Sequence, residues 1–441
     1  MENENQEVQL NKTLGPVMLW GLGVGYVISG EYFGWNLGLS EGGTYGMLLA
    51  TLVVTLMYTC FVLSYAELAC AIPRAGGAFV YASRAFGPKV GFLTGLAQVI
   101  EFVFAPPAIA MAIGAYCNNS FPDIDAHWVA VIVYVVFTAL NIYGVRLSAA
   151  FELGVTILAV GELLLFVGIT LPEFKIEHFA RDPLPGGWMG AFACLPFAIW
   201  FYLAIEGVAN VAEESKDPAK DIPRGFLGAI ATLVVLALLV FFAATGVGGW
   251  EKIVFDAAGN ASDSPLPMAL ELVVGREHIF YQLLITVGIF GLIASFHGII
   301  LIAGRATFEM GRVGNLPAAL GKLLPGRKTP AMALVLNMLV GFVAIALGRT
   351  GEMITLSVFG ALGLYIMGSA AVLKLRESEP ELERPYRAPG MPWLPRIALV
   401  IALGCLVSMV VYHTKIAVIF GGLMLGGWGY YRWSEGGSEG V

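Results

Sequence analysis

The stretch GLGVGYVISGEYFGWNLGL, residues 21–39, carries six glycines in one apolar segment long enough to cross a membrane. A second apolar stretch, ACLPFAIWFYLAIEGVAN at 193–210, has a proline near its start and a glycine near its end. Interrupted hydrophobic segments at corresponding places in two halves of a membrane protein indicate a transporter binding site near the middle of the bilayer. Glycines alone are equally typical of close helix packing. The charges inside the spans therefore decide between the two interpretations.

The composition excludes an ordinary soluble protein. Of 441 residues, 58% are hydrophobic and 13% are charged, whereas a soluble domain has roughly 25% charged residues. A helix of about 20 residues crosses the hydrocarbon core of a bilayer, and twelve apolar stretches come close to this length. They lie near 15–38, 44–70, 88–117, 127–144, 148–171, 189–211, 225–248, 279–308, 330–348, 352–373, 394–413 and 416–432. The sequence thus predicts an all-α membrane protein with about twelve transmembrane helices and no large soluble domain.

The loop charges predict the orientation of the chain. The start, MENENQEVQLNK, is acidic and polar, so it is not a cleavable signal, which needs a basic beginning. If the N-terminus is inside, nineteen of the 25 basic residues, Arg146 and Arg305 among them, fall in cytoplasmic segments. Positive loops stay on the cytoplasmic side. We therefore expect a multi-pass protein of the inner membrane with cytoplasmic tails at 1–14 and 434–441.

Charge and cysteine content exclude several other partners. The formal net charge is −7 and no basic cluster indicates nucleic acid. The five cysteines lie far apart, without a CxxC pair or a Cys/His cluster. This pattern predicts neither a metal site nor a disulfide framework, and no cofactor is expected.

Buried charge in the spans is carboxylate. Six acids lie within apolar stretches and no Lys or Arg lies in the interior of any: Glu31, Glu67, Glu101, Glu152, Glu162 and Glu206. A charged side chain at the centre of a membrane helix costs at least ~2.5–3.5 kcal/mol. Either several of these acids are protonated, or a cation binds to them. Glu67 and Glu152 lie near loop arginines and are expected to be structural. Glu162 is either a proton carrier or a helix–helix hydrogen-bond partner.

Three loop sequences resemble a known superfamily. AELACAIPRAGGAFVYASRAFGP at 66–88, AIEGVANVAEESKDPAKDIPRG at 204–225 and RPYRAPGMPWLP at 384–395 are similar to signatures of the amino acid, polyamine and organocation transporters, the APC superfamily. Within it, GYVISGEYFGWNLGL at 25–39 and IEFVFAPPAIAMAIGAY at 100–116 resemble the bacterial ethanolamine permeases. The resemblance implies a secondary active transporter that works by alternating access, not an enzyme.

The resemblance also implies a five-plus-five inverted repeat. Residues 15–171 and 188–376 would be the two repeats, with broken helices at spans 1 and 6, and residues 392–433 would add two further helices. In the superfamily the unwound part of span 1 receives the substrate's carboxylate. Here that part contains Glu31, where typical members carry a small or apolar residue. A carboxylate substrate would meet a like charge there, whereas an amine without a carboxylate would gain a counter-ion.

Ethanolamine is therefore the expected substrate. We expect Glu31 and Glu101 to hold its ammonium group, and the broken backbone of both spans to be available to its hydroxyl. Trp200 lies where the superfamily has an aromatic gate, although a packing role is the alternative. The expected substrate-binding set is Ser29, Gly30, Glu31, Gln98, Glu101, Trp200, Phe201, Tyr202 and Ala204.

The coupling ion is left open by the sequence. In proton-coupled relatives a lysine in span 5 mimics a sodium ion. This chain has Ala159 at that position, so the lysine-based coupling mechanism is absent here. Glu162 lies three residues on, on roughly the same helix face. Coupling or gating is expected to involve Glu162, Glu206 or Ser295, with a proton or sodium as the ion, or simple exchange. The main alternative function is an amino acid permease or exchanger of the same superfamily in which Glu31 points away from the site.

Overall fold

The computed structural model describes residues 12–74, 76–144 and 149–438, and this part of the chain is helical. The α-helices are α1 (Pro16–Val27), α2 (Ser29–Tyr32), α3 (Leu39–Ala71), α4 (Ala78–Phe86), α5 (Pro88–Ser120), α6 (Ala126–Tyr143), α7 (Ala149–Thr170), α8 (Ile176–Phe179), α9 (Gly187–Ala193), α10 (Leu195–Trp200), α11 (Pro218–Thr245), α12 (Glu251–Val254), α13 (Pro265–Val274), α14 (Ile279–Arg312), α15 (Ala331–Leu347), α16 (Thr350–Ser378), α17 (Trp393–Tyr412) and α18 (Thr414–Ser438). Three 3₁₀ segments join them, at Trp35–Gly38, Leu171–Glu173 and Ile205–Glu214. Arg146 and most of the expected N-terminal tail lie outside the described residues, as does the end of the C-terminal tail.

Nine helical segments of the described chain are long and apolar enough to cross a membrane. They are Trp35–Ala71, Pro88–Ser120, Ala126–Tyr143, Ala150–Glu173, Leu195–Glu214, Pro218–Thr245, Ile279–Arg312, Thr350–Ser378 and Trp393–Tyr412. The other predicted spans correspond to the short α1, to the 17-residue α15, and to α18, whose glycines and charged residues lower its mean hydropathy. The structure is therefore that of a multi-pass helical membrane protein.

The first predicted span is broken in the middle. α1 starts with a proline at its first position, where the missing N–H costs nothing, and it ends at Val27. The single turn of α2 follows, and the helical conformation ends at Phe33 and Gly34, whose φ is +89°. Only glycine adopts this conformation without strain. The glycine-rich sequence therefore produces two short helical pieces in place of one continuous helix.

The sixth predicted span is broken as well. α10 ends at Trp200, and Ala204 takes a φ of +78° before the 3₁₀ segment begins. A left-handed conformation at a non-glycine residue costs of order 1–3 kcal/mol and persists only where the surroundings impose it. The break falls within Phe201–Ala204, where the sequence predicted it.

α5 is the central helix of the bundle and packs against α16, α14, α4 and α6. Its contact with α16 is a backbone contact, because a Cβ at Gly360 would lie 2.5 Å from the Ala97 carbonyl oxygen and 2.6 Å from the Glu101 nitrogen. Ser357 donates from its hydroxyl to the Glu101 carbonyl oxygen at 2.7 Å. These contacts fix the height and rotation of Glu101 in the core.

α17 is attached to the start of the sixth span. The Ser408 hydroxyl donates to the Phe192 carbonyl oxygen at 3.1 Å, and Nε2 of His413 lies 2.7 Å from the Ala193 carbonyl oxygen. Phe192 and Tyr412 stack with ring centroids 6.5 Å apart. Ser408 on α17 and His413 directly after it therefore hydrogen-bond the carbonyl groups at the end of α9.

Candidate functional site

The two broken spans cross at their breaks. A Cβ at Gly30 would lie 2.4 Å from the Trp200 carbonyl oxygen, so α2 rests directly on the end of α10. Aromatic rings surround this crossing: Trp35 stacks on Phe201 at 5.5 Å, and Phe33 meets Trp200 edge to face at 5.6 Å. The crossing brings most of the predicted substrate residues into one buried region.

Glu31 lies at the crossing with no hydrogen-bond donor. Its side chain is fully buried, and neither carboxylate oxygen has a partner among the described residues. Its backbone oxygen accepts from the Trp35 indole at 3.2 Å. Tyr32 and Tyr202 are close enough to interact electrostatically with its carboxyl group. A buried carboxylate without donors is costly, so this position suits a proton or a bound cation.

Glu101 stands beside Glu206. In the described part of the chain, both oxygens of Glu101 and one of Glu206 are buried without an N–H or O–H donor from another residue type, and their nearest polar group is the other carboxyl group. The other oxygen of Glu206 accepts from the Tyr365 hydroxyl at 3.0 Å, and Tyr58 donates to Tyr365 at 2.9 Å. Two adjacent carboxyl groups cannot both carry charge cheaply. They would share either a proton or a cation.

This proximity was not expected from the sequence. We expected Glu31 and Glu101 to hold one ammonium group and Glu206 to couple or gate, and the structure places Glu206 beside Glu101. The reason is the 3₁₀ segment Ile205–Glu214, which turns Glu206 toward α5 and α16, where Tyr365 binds it. Glu31 instead lies among the tyrosines of the crossing, as a second acidic position.

Two of the three residues expected to couple or gate, Glu162 and Ser295, contact α2, whereas Glu206 lies beside Glu101. Tyr32 donates from its hydroxyl to a Glu162 oxygen and lies 3.3 Å from the Ala159 carbonyl oxygen. The hydroxyls of Ser29 and Ser295 are 2.8 Å apart, and Ser295 donates to the Tyr26 carbonyl oxygen at 2.7 Å. Glu162 therefore does form a helix–helix hydrogen bond, which was one of the two roles predicted for it.

The remaining predicted residues lie around the same centre. Gln98, one turn from Glu101, lines a narrow pocket with Asn210, Arg305 and Glu309. The Tyr202 hydroxyl is 2.7 Å from the Thr55 hydroxyl. The Trp200 indole packs against Gly34, and its Nε1 is buried without a partner within 12–74, 76–144 and 149–438. All nine predicted substrate residues thus lie in the buried centre or beside it.

Two of the buried acids, Glu67 and Glu152, lie outside this centre. Glu67 accepts from Arg376 at 2.8 Å and from the Ala388 nitrogen at 2.8 Å, and Arg384 Nε lies 3.3 Å from it. The expected structural pairing of Glu67 with loop arginines is confirmed. Glu152 was expected to interact near Arg146, which is not among the described residues; Glu152 Oε1 would lie 3.3 Å from a Cβ at Gly298.

Sequence reasoning missed the tyrosines that hydrogen-bond to the buried acids or to one another beside them. Tyr32, Tyr58 and Tyr365 each contact a carboxyl group or its partner. Nothing in their spacing distinguishes them from the other tyrosines in apolar spans. Tyr32 alone carried a usable signal, since it directly follows Glu31 in the broken span.

Comparison with known proteins agrees with this architecture. The family model described as amino acid permease matches residues 14–423. An uncharacterized transporter of Rhizobium meliloti (strain 1021) is 30% identical, over 90% of this chain and 86% of that protein. The branched-chain amino acid permease BcaP of Bacillus subtilis (strain 168) is 25% identical over 91% of this chain and 89% of that protein, and the glutamate/serine transporter AimA of the same organism is 26% identical over 92% and 78%. The chain therefore belongs to the amino acid permease family of the APC superfamily, a family of membrane transporters.

Proposed function

We propose that this protein is a secondary active transporter for a small organic amine, with ethanolamine as the first candidate. The observation that carries the proposal is the set of buried carboxyl groups at the crossing of the two breaks. Glu31, Glu101 and Glu206 have five carboxylate oxygens without a partner in the described chain, and no Lys or Arg lies in the interior of any predicted span. A substrate with a positive charge would supply the missing donors.

The chemistry of an ammonium group suits this arrangement. An ammonium group has three N–H donors and no acceptor, so it matches carboxylate oxygens and broken-helix carbonyls. The ring of Trp200 could add ~0.5–2 kcal/mol of cation–π attraction if the cation lies over its face. The proposed partners of the substrate hydroxyl are Ser29, whose own hydroxyl contacts Ser295 in this conformation, and the backbone of Gly30 and of Phe201 to Ala204. A carboxylate on the substrate would instead meet Glu31.

Transport would follow from the two breaks. Glu31 and Glu101 are fully buried, so this conformation is closed around them. We propose twelve spans in which 15–171 and 188–376 form inverted repeats, 392–433 adds two helices, and both tails are in the cytoplasm. The breaks at α2 and after α10 occupy matching places in the two repeats, which supports this arrangement. Rocking of one repeat against the other would expose the site alternately to each side of the inner membrane.

An amino acid permease is the second candidate. The relatives favour it, since two of them are described as a branched-chain amino acid permease and a glutamate/serine transporter. In that case Glu31 would be protonated or turned away from the substrate. Glu162, Glu206 and Ser295 are the proposed coupling or gating residues under either candidate.

Counterflow in proteoliposomes tests the proposal. Proteoliposomes that contain the purified protein are loaded with unlabelled ethanolamine and placed in radiolabelled ethanolamine. They should exchange the two with saturable kinetics, and serine and leucine should not compete. Glu101→Gln should lose this exchange, because the substitution removes one of the charges that the ammonium group needs. Glu152→Gln is the matched control, a buried acid outside the crossing, and should retain exchange. If serine or leucine exchanges and ethanolamine does not compete, the amine proposal is wrong and the amino acid candidate holds.

A further inference from the structure

Glu162 is a buried acid with a half-satisfied carboxyl group. It lies on α7, and its side chain is 5% exposed. One oxygen accepts from the Tyr32 hydroxyl, whereas Oε1 has no partner within the part of the chain that the structure describes. The free oxygen can take up a proton without breaking another hydrogen bond.

The single turn of α2 connects Glu162 with the crossing of the broken spans. Three of its four residues contact different parts of the molecule. Ser29 bonds to Ser295 on α14, Gly30 rests on the Trp200 carbonyl oxygen, and Tyr32 bonds to Glu162 on α7, while Glu31 remains without a partner among the residues described. Consecutive residues of a helix rise only ~1.5 Å each, so the four side chains move as one unit. A change in the protonation of Glu162 would therefore shift the position of Glu31.

We propose that Glu162 binds the coupling proton of this transporter and that Tyr32 is the positioning residue that links this proton to the substrate site. The inference rests on the proposed transport function, but it holds for an amine or an amino acid as substrate. It assigns the coupling role to one of the three residues considered above and adds Tyr32, which the sequence did not indicate.

The proposed step is a proton transfer and nothing else. A proton from water adds to Glu162 and converts its carboxylate to a neutral carboxyl group; the same proton leaves to water on the other side of the membrane. A hydrogen bond to an ionised carboxylate is roughly twice as strong as one to a neutral group. Ionised Glu162 therefore holds Tyr32 and α2 tightly against α7, and protonation loosens this hold. Loosening of α2 permits the first broken span to move.

The other two coupling candidates are already hydrogen-bonded to other groups. The Ser295 hydroxyl donates to the Tyr26 carbonyl oxygen and meets Ser29. Glu206 accepts from Tyr365 and faces Glu101, which places it in the proposed substrate site. Glu162 is the only titratable one of the three that contacts α2, through Tyr32.

Among the described residues, Tyr32 is the side chain that hydrogen-bonds to Glu162. The titratable side chains that face Glu162, or lie on α7 and on the elements packed against it, are Tyr26, Tyr32 and Glu31 in the first broken span, Tyr116 on α5, Glu152 on α7, Glu173 after α7, Lys220, Asp221 and Arg224 on α11, Glu271 on α13, and Tyr281, His297, Arg305, Glu309 and Arg312 on α14. Glu271 is paired with Arg276 at 2.8 Å. Tyr116 donates to the Tyr32 carbonyl oxygen at 3.1 Å and so supports the same turn.

The test separates exchange from proton-driven accumulation in proteoliposomes. Counterflow at equal pH on both sides measures exchange, which needs no net proton movement. Accumulation is measured with a pH difference of one unit, the membrane potential clamped to zero with valinomycin and equal potassium. One proton per substrate supports at most about tenfold accumulation under these conditions. The variants are Glu162→Gln and Tyr32→Phe, with Glu152→Gln and Tyr134→Phe as matched controls on α7 and α6.

Both variants should differ from the wild type in accumulation and not in counterflow. Glu162→Gln keeps counterflow but equilibrates substrate without accumulation, and its uptake no longer depends on pH between 5 and 8. Tyr32→Phe keeps counterflow and accumulates less than the wild type, because the proton still binds but no longer controls α2. Both controls accumulate substrate like the wild type.

Other results overturn the inference. Accumulation by Glu162→Gln at the wild-type level refutes the assignment, and so does equal loss of accumulation in Glu152→Gln or Tyr134→Phe. Wild-type accumulation that follows a sodium gradient at zero pH difference refutes proton coupling. Absence of ethanolamine counterflow in the wild type refutes the amine proposal instead, and the coupling test then continues with serine.

Discussion

The replacement Glu67→Ala should destabilise the protein strongly, although Glu67 lies outside the substrate site. The Glu67 side chain is fully buried at the end of α3. Arg376 at the end of α16 and the backbone nitrogen of Ala388 both donate to it at 2.8 Å, and Arg384 Nε lies 3.3 Å away. One carboxylate thus holds a helix end and the segment between α16 and α17 against α3.

The expected loss follows from what Glu67→Ala would leave behind. Removal of one partner from a buried ion pair costs about 3–5 kcal/mol. Arg376 is 31% exposed in its side chain and can regain water, whereas Arg384 is only 6% exposed. We therefore expect the lower end of that range, about 3 kcal/mol. The surface pair of Arg84 and Glu379 has side chains 42% and 30% exposed, and such pairs contribute about 0–1 kcal/mol.

The assay is thermal unfolding in detergent, followed by tryptophan fluorescence. At roughly 2 °C per kcal/mol for a large chain, Glu67→Ala should lower Tm by about 6 °C and Glu379→Ala by no more than about 2 °C. Glu67→Gln should fall between them, because an amide oxygen still accepts from Ala388. Equal Tm values for Glu67→Ala and Glu379→Ala would show that the buried network does not stabilise the protein.

Three further predictions concern the site and its surroundings. Glu101→Gln should abolish binding of ethanolamine in isothermal titration while Tm stays constant or rises, since a buried charge is removed; unchanged affinity would place the amine elsewhere. Gly30→Ala should lower Tm by several degrees, because its Cβ would lie 2.4 Å from the Trp200 carbonyl oxygen; an unchanged Tm would mean that α2 is free to shift. Burial raises the pKa of Asp263, whose carboxylate accepts from Thr350 at 2.6 Å, to about 6. Because the folded protein then holds this proton more tightly than the unfolded chain does, stability should fall as pH rises from 4 to 6, and Asp263→Asn should remove that part of the dependence in Tm measured across this range.

The helices and their interruptions were predictable because they depend on local sequence. Apolar runs of helical length mark the spans, and glycines or proline in two of them indicate breaks. The break after α10 lies at Phe201–Ala204, as expected. In the first span the sequence predicted unwound backbone at Ile28–Glu31, but Ser29–Tyr32 forms a helical turn and the helical conformation is lost at Phe33 and Gly34. The general position of the site at the crossing follows from the same signals.

The partners of each buried acid were not predictable in the same way. Glu101 and Glu206 are 105 residues apart, and Tyr32 and Glu162 are 130 residues apart. Which faces of two helices meet depends on their rotation and crossing, which the tight contact at Gly360 sets. An apolar helix that is buried on most sides has no amphipathic pattern to reveal that rotation. The sequence therefore singled out the buried acids but did not show which of them lie side by side.

The attachment of α17 has a consequence for attempts to shorten the chain. A helical break leaves carbonyl groups without their usual partners, and in hydrocarbon no water replaces them. Here Ser408 and His413 supply the hydrogen bonds for Phe192 and Ala193. A truncated protein that stops at Ser378 would keep both proposed repeats, yet it would lose the side chains that hydrogen-bond the Phe192 and Ala193 carbonyl oxygens at the start of the sixth span. We therefore expect the second proposed repeat to fold poorly without α17.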